Sequence, residues 1–209
     1  MLQLNKKIYL PVLIVLAFGL YSCGGKKENT EKKEKLSYNN PESVLQHAQE
    51  IMGENVKVAF AGRFDRDTVT EIASGSEIKN NNEWGIKFVL LKGTGNKFGI
   101  VFQTALLNGS FRESLVKKIT LPKIDYDFIY YNSEDYYLGS GGGEVYSYII
   151  NFNEGKTYYA HLISEPKKPT SLYLSDNIDI PDVKKFLIEN FKKDFPGIKI
   201  VSKDIVLKY

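Results

Sequence analysis

Val56, Val58 and Phe60 alternate with Lys57 and Ala59, and the same period of two returns along most of the chain that follows. It recurs in Trp84 to Leu91, Phe98 to Leu106, Leu115 to Leu121, Phe128 to Asn132, Tyr136 to Leu138, Val145 to Phe152 and Thr157 to Ile163. A period of two sends successive side chains to opposite faces of an extended chain, so this region cannot be a helical bundle. Turn signals separate the runs: Gly93-Thr94-Gly95-Asn96, Asn108-Gly109, Gly141 to Gly143 and Asn153-Glu154-Gly155. Short turns between alternating runs predict a mainly β (α+β) fold, an antiparallel, meander-like sheet.

A helix is expected at each end of that sheet. Asn40-Pro41-Glu42 combines a capping amide, a proline where a missing N–H does no harm, and an acid at the positive end of the helix dipole. Val44, Leu45, Ala48, Ile51 and Met52 then recur at helical spacing up to Gly53. Past Pro166 and Pro169, Pro181 and Asp182 open a second helix with Val183, Phe186, Leu187, Asn190 and Phe191 on one face. It stops before Pro196-Gly197, and a last strand is expected from Ile198 to Leu207.

The N-terminus carries an address. Lys6 and Lys7 precede an apolar run from Ile8 to Leu20, about a dozen residues, which is shorter than the roughly 20 a membrane-spanning helix needs and has the layout of a secretory leader. Leu20-Tyr21-Ser22-Cys23 closes it with the only cysteine of the chain. This resembles the lipobox of bacterial lipoproteins, with Tyr21 bulkier than the usual residue there. The resemblance implies cleavage before Cys23, a diacylglycerol on its thiol, and membrane attachment through that lipid. The Ser-Cys-Gly-Gly start and the Lys27-Glu28 pair look like lipoproteins of Bacteroidota-type bacteria, and Gly24 after the cysteine favours the outer membrane, on its periplasmic or cell-surface face. Residues 1–22 are thus expected to be a signal peptide, 23–40 the lipidated cysteine and a charged tether, and 41–209 one β-rich domain. Gly24 to Lys35 alternates lysine with glutamate and has no apolar side chain, a composition that cannot repay the entropy of ordering.

Charge and cysteine usage narrow the function classes. The net charge is +3, but seven lysines and three glutamates in residues 1–35 supply +4, which leaves the rest near −1. The basic balance belongs to the leader and tether, and the domain has no basic face of the kind that neutralises phosphates, so nucleic acid is not an expected partner. With Cys23 committed to lipid, no thiol remains for a disulfide, a nucleophile or a metal.

The stretch Gly62-Arg63-Phe64-Asp65-Arg66-Asp67-Thr68-Val69-Thr70-Glu71-Ile72 resembles the FG-GAP or VCBS-type motif, a strand-loop-strand unit that binds calcium in many propeller proteins. Gly62, Phe64, Asp65, Asp67, Glu71 and Ile72 match it in kind and register. Arg63 stands at the first ligand position and Thr68 replaces the glycine of the sharp turn. The resemblance makes Asp65, Asp67 and Glu71 a degenerate calcium loop. The alternative is a metal-free turn in which Arg63 pairs with Asp65, Asp67 or Glu71 in place of the ion. No other cofactor is expected.

Tyrosines crowd the stretch from Asp125 to Tyr159 around a glycine-rich turn, and Tyr130, Tyr136, Tyr137, Ser140, Tyr146 and Tyr148 form a candidate binding surface for glycan, peptide or an envelope protein. Alternation puts Tyr146, Tyr148, Ile150 and Phe152 on one face and Val145, Ser147, Ile149 and Asn151 on the other, so sheet packing with tyrosines near the rim is the competing expectation. The glycine run is followed by Glu144 and a strand, which reads as a hairpin connection and not as a phosphate loop. Ser140 has no Gly-x-Ser-x-Gly context. His47 and His161 lack zinc-site spacing. Asp125 with Asp127, and Glu134 with Asp135, are paired carboxylates of the kind glycoside hydrolysis uses, although such pairs are common in turns. A non-catalytic binding or structural module of the envelope is therefore expected, against an Asp/Glu hydrolase or an envelope-assembly factor.

Overall fold

The computed structural model describes residues 36–80, 83–94, 97–139 and 142–201, with the side chains of Asn80, Glu83, Thr94 and residues 134–139 left aside. The lipobox and Cys23, the tether to Lys35, Ser140, the side chains of Tyr136 and Tyr137, and the tail from Ser202 lie outside the described residues. The described residues form one unit.

The first helix, α1 (Pro41–Met52), starts as its sequence dictates: Asn40 Oδ1 accepts from the N–H groups of Glu42 at 3.0 Å and Ser43 at 3.4 Å. It ends at Gly53, whose φ of 96° suits glycine. Four strands follow in chain order as one antiparallel sheet: β1 (Val56–Gly62), β2 (Glu71–Asn80), β3 (Glu83–Thr94) and β4 (Lys97–Gln103). A 3₁₀ turn at Glu113–Leu115 leads into a second sheet. Its strands are β5 (Val116–Thr120), β6 (Asp127–Gly139), β7 (Gly142–Asn151), β8 (Lys156–Ser164), β9 (Ser171–Leu174) and β10 (Lys199–Val201), adjacent in that order. The helix α2 (Pro181–Asp194) connects β9 to β10, which consequently runs parallel to β9.

The mainly β class is therefore observed, but as two sheets where the alternation suggested one. Three apolar clusters show how they stack. Val44 and Ala48 of α1 pack on Ile72, Val89 and Leu91 of the first sheet. The other face of that sheet, through Ala73, Phe88 and Leu90, meets Ile129, Tyr131, Tyr148 and Ile150 of the second. The far face of the second sheet, through Val145, Ile149 and Leu162, is covered by Val183, Leu187 and Phe191 of α2. The order is helix, sheet, sheet, helix, and the central strands of both sheets are covered on both faces, whereas β4 is largely exposed. That is why the two faces of β7 expected from the sequence are both apolar: Tyr148 and Ile150 look to one neighbour, Val145 and Ile149 to the other.

Details of the strand assignment also shift. The runs at Phe128 and Tyr136 belong to one long strand, β6. Strands β2 and β9 were not among the expected ones. In β2, a Cβ on Gly75 would lie 2.6 Å from Phe88 Cε1, so a glycine occupies the middle of this strand. The glycine run does form the β6–β7 hairpin, with Gly139 paired to Gly142. Gly142 has φ +93°, and a Cβ on it would sit 1.8 Å from Ser164 O.

Candidate functional site

Two places gather polar side chains by fold and not by sequence proximity. The first is the loop between β1 and β2. Phe64 is fully buried and stands edge-on to Phe152 at 5.6 Å, which drives the loop into the core between the sheets. Asp127 of β6 fastens it: its Oδ2 accepts from the Arg63 N–H at 3.1 Å, and its own N–H donates to Arg63 O at 2.6 Å. Gly62 allows this approach, since a Cβ there would meet Asp127 Oδ2 at 2.6 Å. Arg66 lies over the Tyr126 ring at 5.7 Å.

Within the loop, Asp65 Oδ1 accepts from the Asp67 N–H at 2.8 Å and Asp67 Oδ1 from the Val69 N–H at 2.8 Å. These two side-chain turns bend the chain without a left-handed residue, and Thr68 has no positive φ. Thr68 in place of glycine is thus compatible with the turn. Glu71 is buried, and its Oε2 accepts from the N–H groups of Phe64 at 2.9 Å and Asp65 at 3.0 Å.

The cation at the centre is Lys92 of β3, not Arg63, which is exposed. Its Nζ stands 2.5 Å from Asp65 Oδ2, also pairs with Asp67 Oδ2, and lies 3.5 Å from Glu71 Oε1, which makes no hydrogen bond. Register explains its arrival: Ile72 pairs with Leu91, so Lys92 lies beside the loop end of β2. Burial would raise the Asp65 carboxyl, but the hydrogen bonds from Lys92 and the Asp67 N–H hold it below its ordinary range. Burial and the neighbouring Asp65 push Glu71 up to about 7. Hydrogen bonds to Asp65 and Asp67 raise the Lys92 ammonium, so it stays charged. A protein cation therefore sits among the three carboxylates of the calcium-like motif, and that arrangement does not fit an ion in the same place.

The second place is the end of the second sheet beside the glycine turn. Cross-strand register lines up Tyr131 with Tyr148, Tyr146 with His161, and His161 with Tyr173. The rings follow one another in a row across β6 to β9, near parallel from Tyr131 to Tyr148 at 6.4 Å, Tyr148 to Tyr146 at 6.2 Å and Tyr146 to His161 at 4.1 Å, and tilted by 44° from His161 to Tyr173 at 6.3 Å. The interior end of the row is structural, because Tyr148 donates to Asn108 O at 3.1 Å and Tyr131 donates to Ser110 O. The outer end is polar. Glu144, half exposed, places Oε2 2.9 Å from His161 Nε2 and accepts from the Tyr146 hydroxyl at 3.4 Å. The carboxylate can only accept, so Nε2 carries the proton and the neutral tautomer is fixed. Burial lowers the His161 pKa against the opposing pull of Glu144.

The tyrosines singled out from sequence are thus divided. Tyr130 faces α2, edge-on to Phe186 at 5.1 Å, while Tyr148 is interior and only Tyr146 reaches the polar rim. His161 and Glu144 were not assigned to a site, although their positions opposite Tyr146 and beside the glycine turn follow from the hairpin register. Asp125 is exposed, and Asp127 is engaged by Arg63 and by the Thr120 hydroxyl at 2.7 Å. The side chains of Glu134 and Asp135 lie outside the described residues. Among the described residues no hydroxyl bonds to His161, and no cluster of three or more His, Cys, Asp or Glu is arranged to hold a metal. No protein-family model, curated protein or solved structure matches this chain.

Proposed function

We propose that the chain is a lipid-anchored envelope protein of the outer membrane that works by binding, not by turnover, and that its ligand meets the rim formed by Glu144, Tyr146, His161 and Tyr173. The observation that carries this is the Glu144–His161 pair: a half-exposed carboxylate held at 2.9 Å by a buried imidazole, with Tyr146 stacked on that imidazole. Such a group presents an acceptor in a fixed direction at little entropic cost on binding. Because Tyr146 and His161 cover each other's faces, this part of the rim offers edges and the Tyr146 hydroxyl. That favours a hydrogen-bonding ligand, a glycan or a peptide, over one that stacks. The attachment through Cys23 rests on the Leu20-Tyr21-Ser22-Cys23 stretch.

The test is a glycan-array and peptide pull-down screen with the full chain in mild detergent, with the mature N-terminus read by mass spectrometry. A ligand weakened about tenfold or more by Glu144→Gln and by Tyr146→Ala is the expected result. Binding indifferent to both substitutions, or a mature chain whose Cys23 thiol is free, would overturn the reading.

A further inference from the structure

The opposite face of the second sheet carries a different feature. Helix α2 lies across the inner strands, where Val183, Leu187 and Phe191 join the core with Val145, Leu162 and Leu172. Its C-terminal end leaves the β5–β6 edge partly uncovered, and a cavity of about 230 Å³ opens there. That is room for about eight waters, or a molecule the size of leucine or phenylalanine. Val145 and Phe191, both buried, and half-buried Phe195 give it an apolar lining. Lys117 reaches it because its register partner is Tyr130, which puts both on the helix-facing side. Lys193 and Asp194 come from the last turn of α2.

These three charges have no ion-pair partner among the described residues. Among the described residues Lys117 has no carboxylate partner, Asp194 has no cation, and Lys193 Nζ donates only to Asn190 Oδ1 at 3.3 Å. The C-terminal carbonyls of α2 add partial negative charge on the side of Asp194. A simple anion would answer the lysines but meet Asp194 and those carbonyls. A simple cation would meet two lysines. A molecule with both signs on one short apolar body complements the two lysines, Asp194 and the apolar side chains together, and Tyr130, Asn132 and Asn190 add polar edges to the same wall.

We propose that this cavity binds a small zwitterion with an apolar body, of the chemical class of free aliphatic or aromatic α-amino acids. Its carboxylate faces Lys117 and Lys193, its ammonium faces Asp194 and the helix end, and its side chain lies against Val145, Phe191 and Phe195. The site is on the face away from the Glu144–His161 rim and stands independently of it.

Isothermal titration calorimetry of the full chain in mild detergent tests this with L-leucine, L-phenylalanine, hexanoate and pentylamine. Saturable binding of either amino acid is expected with Kd of about 0.1–1 mM, with hexanoate and pentylamine each about tenfold weaker. Lys117→Ala and Asp194→Ala, both at exposed positions and checked for native circular dichroism, should each weaken the amino acid about tenfold. No saturable heat from either amino acid overturns the proposal. So does hexanoate binding as tightly as leucine, or leucine binding unchanged in both variants.

Discussion

The loop before β2 and the cavity beside α2 contain the same chemistry, lysines and carboxylates among aromatics, in opposite states. In the loop, one ammonium faces three carboxylates and a buried acid accepts two backbone N–H groups, so each of the three acids has a partner from within the chain. Around the cavity, Lys117 and Asp194 have no partner among the described residues and the apolar lining is open. A closed cluster ties the β1–β2 loop to β3, whereas an open one leaves electrostatic capacity for something that arrives from outside. The loop that resembles a binding motif and the cavity whose charges lack partners among the described residues thus lie in different parts of this fold. The motif-like loop has become a clasp.

The strongest way to break this contrast is to remove the clasp's cation. Lys92→Met strands Asp65 and Asp67 beside buried Glu71 without a counter-charge, and about 2–4 kcal/mol of stability should be lost after allowance for the partial exposure of Asp65 and Asp67. Urea unfolding measures it. In that variant the three carboxylates become available to a hard cation, so calcium should raise its Tm while leaving the parent chain's Tm where it is. A loss below about 1 kcal/mol would mean that Lys92 only decorates the loop and that the two clusters do not differ in kind.

Why the clasp could not be read in advance is a matter of distance along the chain. The motif residues and their departures at Arg63 and Thr68 were visible, but the neutralising group stands 27 residues beyond Asp65 on another strand. Only the pairing of Ile72 with Leu91 brings it in. Strand β2 was hidden for a related reason: Ser74, Gly75 and Ser76 look like turn residues, yet Gly75 lies under Phe88 of the neighbouring strand, while Ser74 turns to the opposite face, where its hydroxyl meets Met52 Sδ at 3.2 Å. Strand β9 has only four residues between Pro169 and Ser175, too short a run for alternation to declare itself. By contrast, α1, α2 and the long strands announced themselves because capping and period are local properties. The neighbours Tyr130 and Tyr131 were legible as opposite-facing, but which face meets a sheet and which a helix depended on a second sheet that alternation does not reveal.

A smaller effect sharpens the comparison through pH. Glu71 rises from an ordinary value of 4.5 to about 7 by burial and the neighbouring Asp65. Between those values the folded chain holds a proton that the unfolded chain has released. The stability this group contributes is therefore full below about pH 4.5 and is lost as pH rises through 7. His161 has the opposite sign. Burial takes it below its ordinary 6.5, so its contribution is present above that value and is lost as pH falls toward the depressed folded pKa. Glu71→Gln should remove a decline of about 1–3 kcal/mol between pH 5 and pH 8. His161→Phe should flatten only the acid side. Unfolding free energies at four pH values separate the two, and a Glu71→Gln chain that keeps the parent's slope would show that this carboxyl does not titrate in the clasp.

The smallest expected effect carries the other half of the contrast. Lys117→Ala removes a charge of the same type as Lys92, from a strand of similar regularity, but one with no carboxylate partner among the described residues. Stability should change by no more than about 0.5 kcal/mol, the ordinary response of an exposed side chain without a partner. A double-mutant cycle makes the distinction quantitative. Lys92→Met combined with Asp67→Asn should show coupling of about 1 kcal/mol or more, because each group answers the other. Lys117→Ala combined with Asp194→Asn should be additive within about 0.3 kcal/mol, because nothing in the free protein joins them. If the second pair couples as strongly as the first, the cavity's charges are already engaged with each other, and the surface beside α2 is a second clasp with nothing left to offer a ligand.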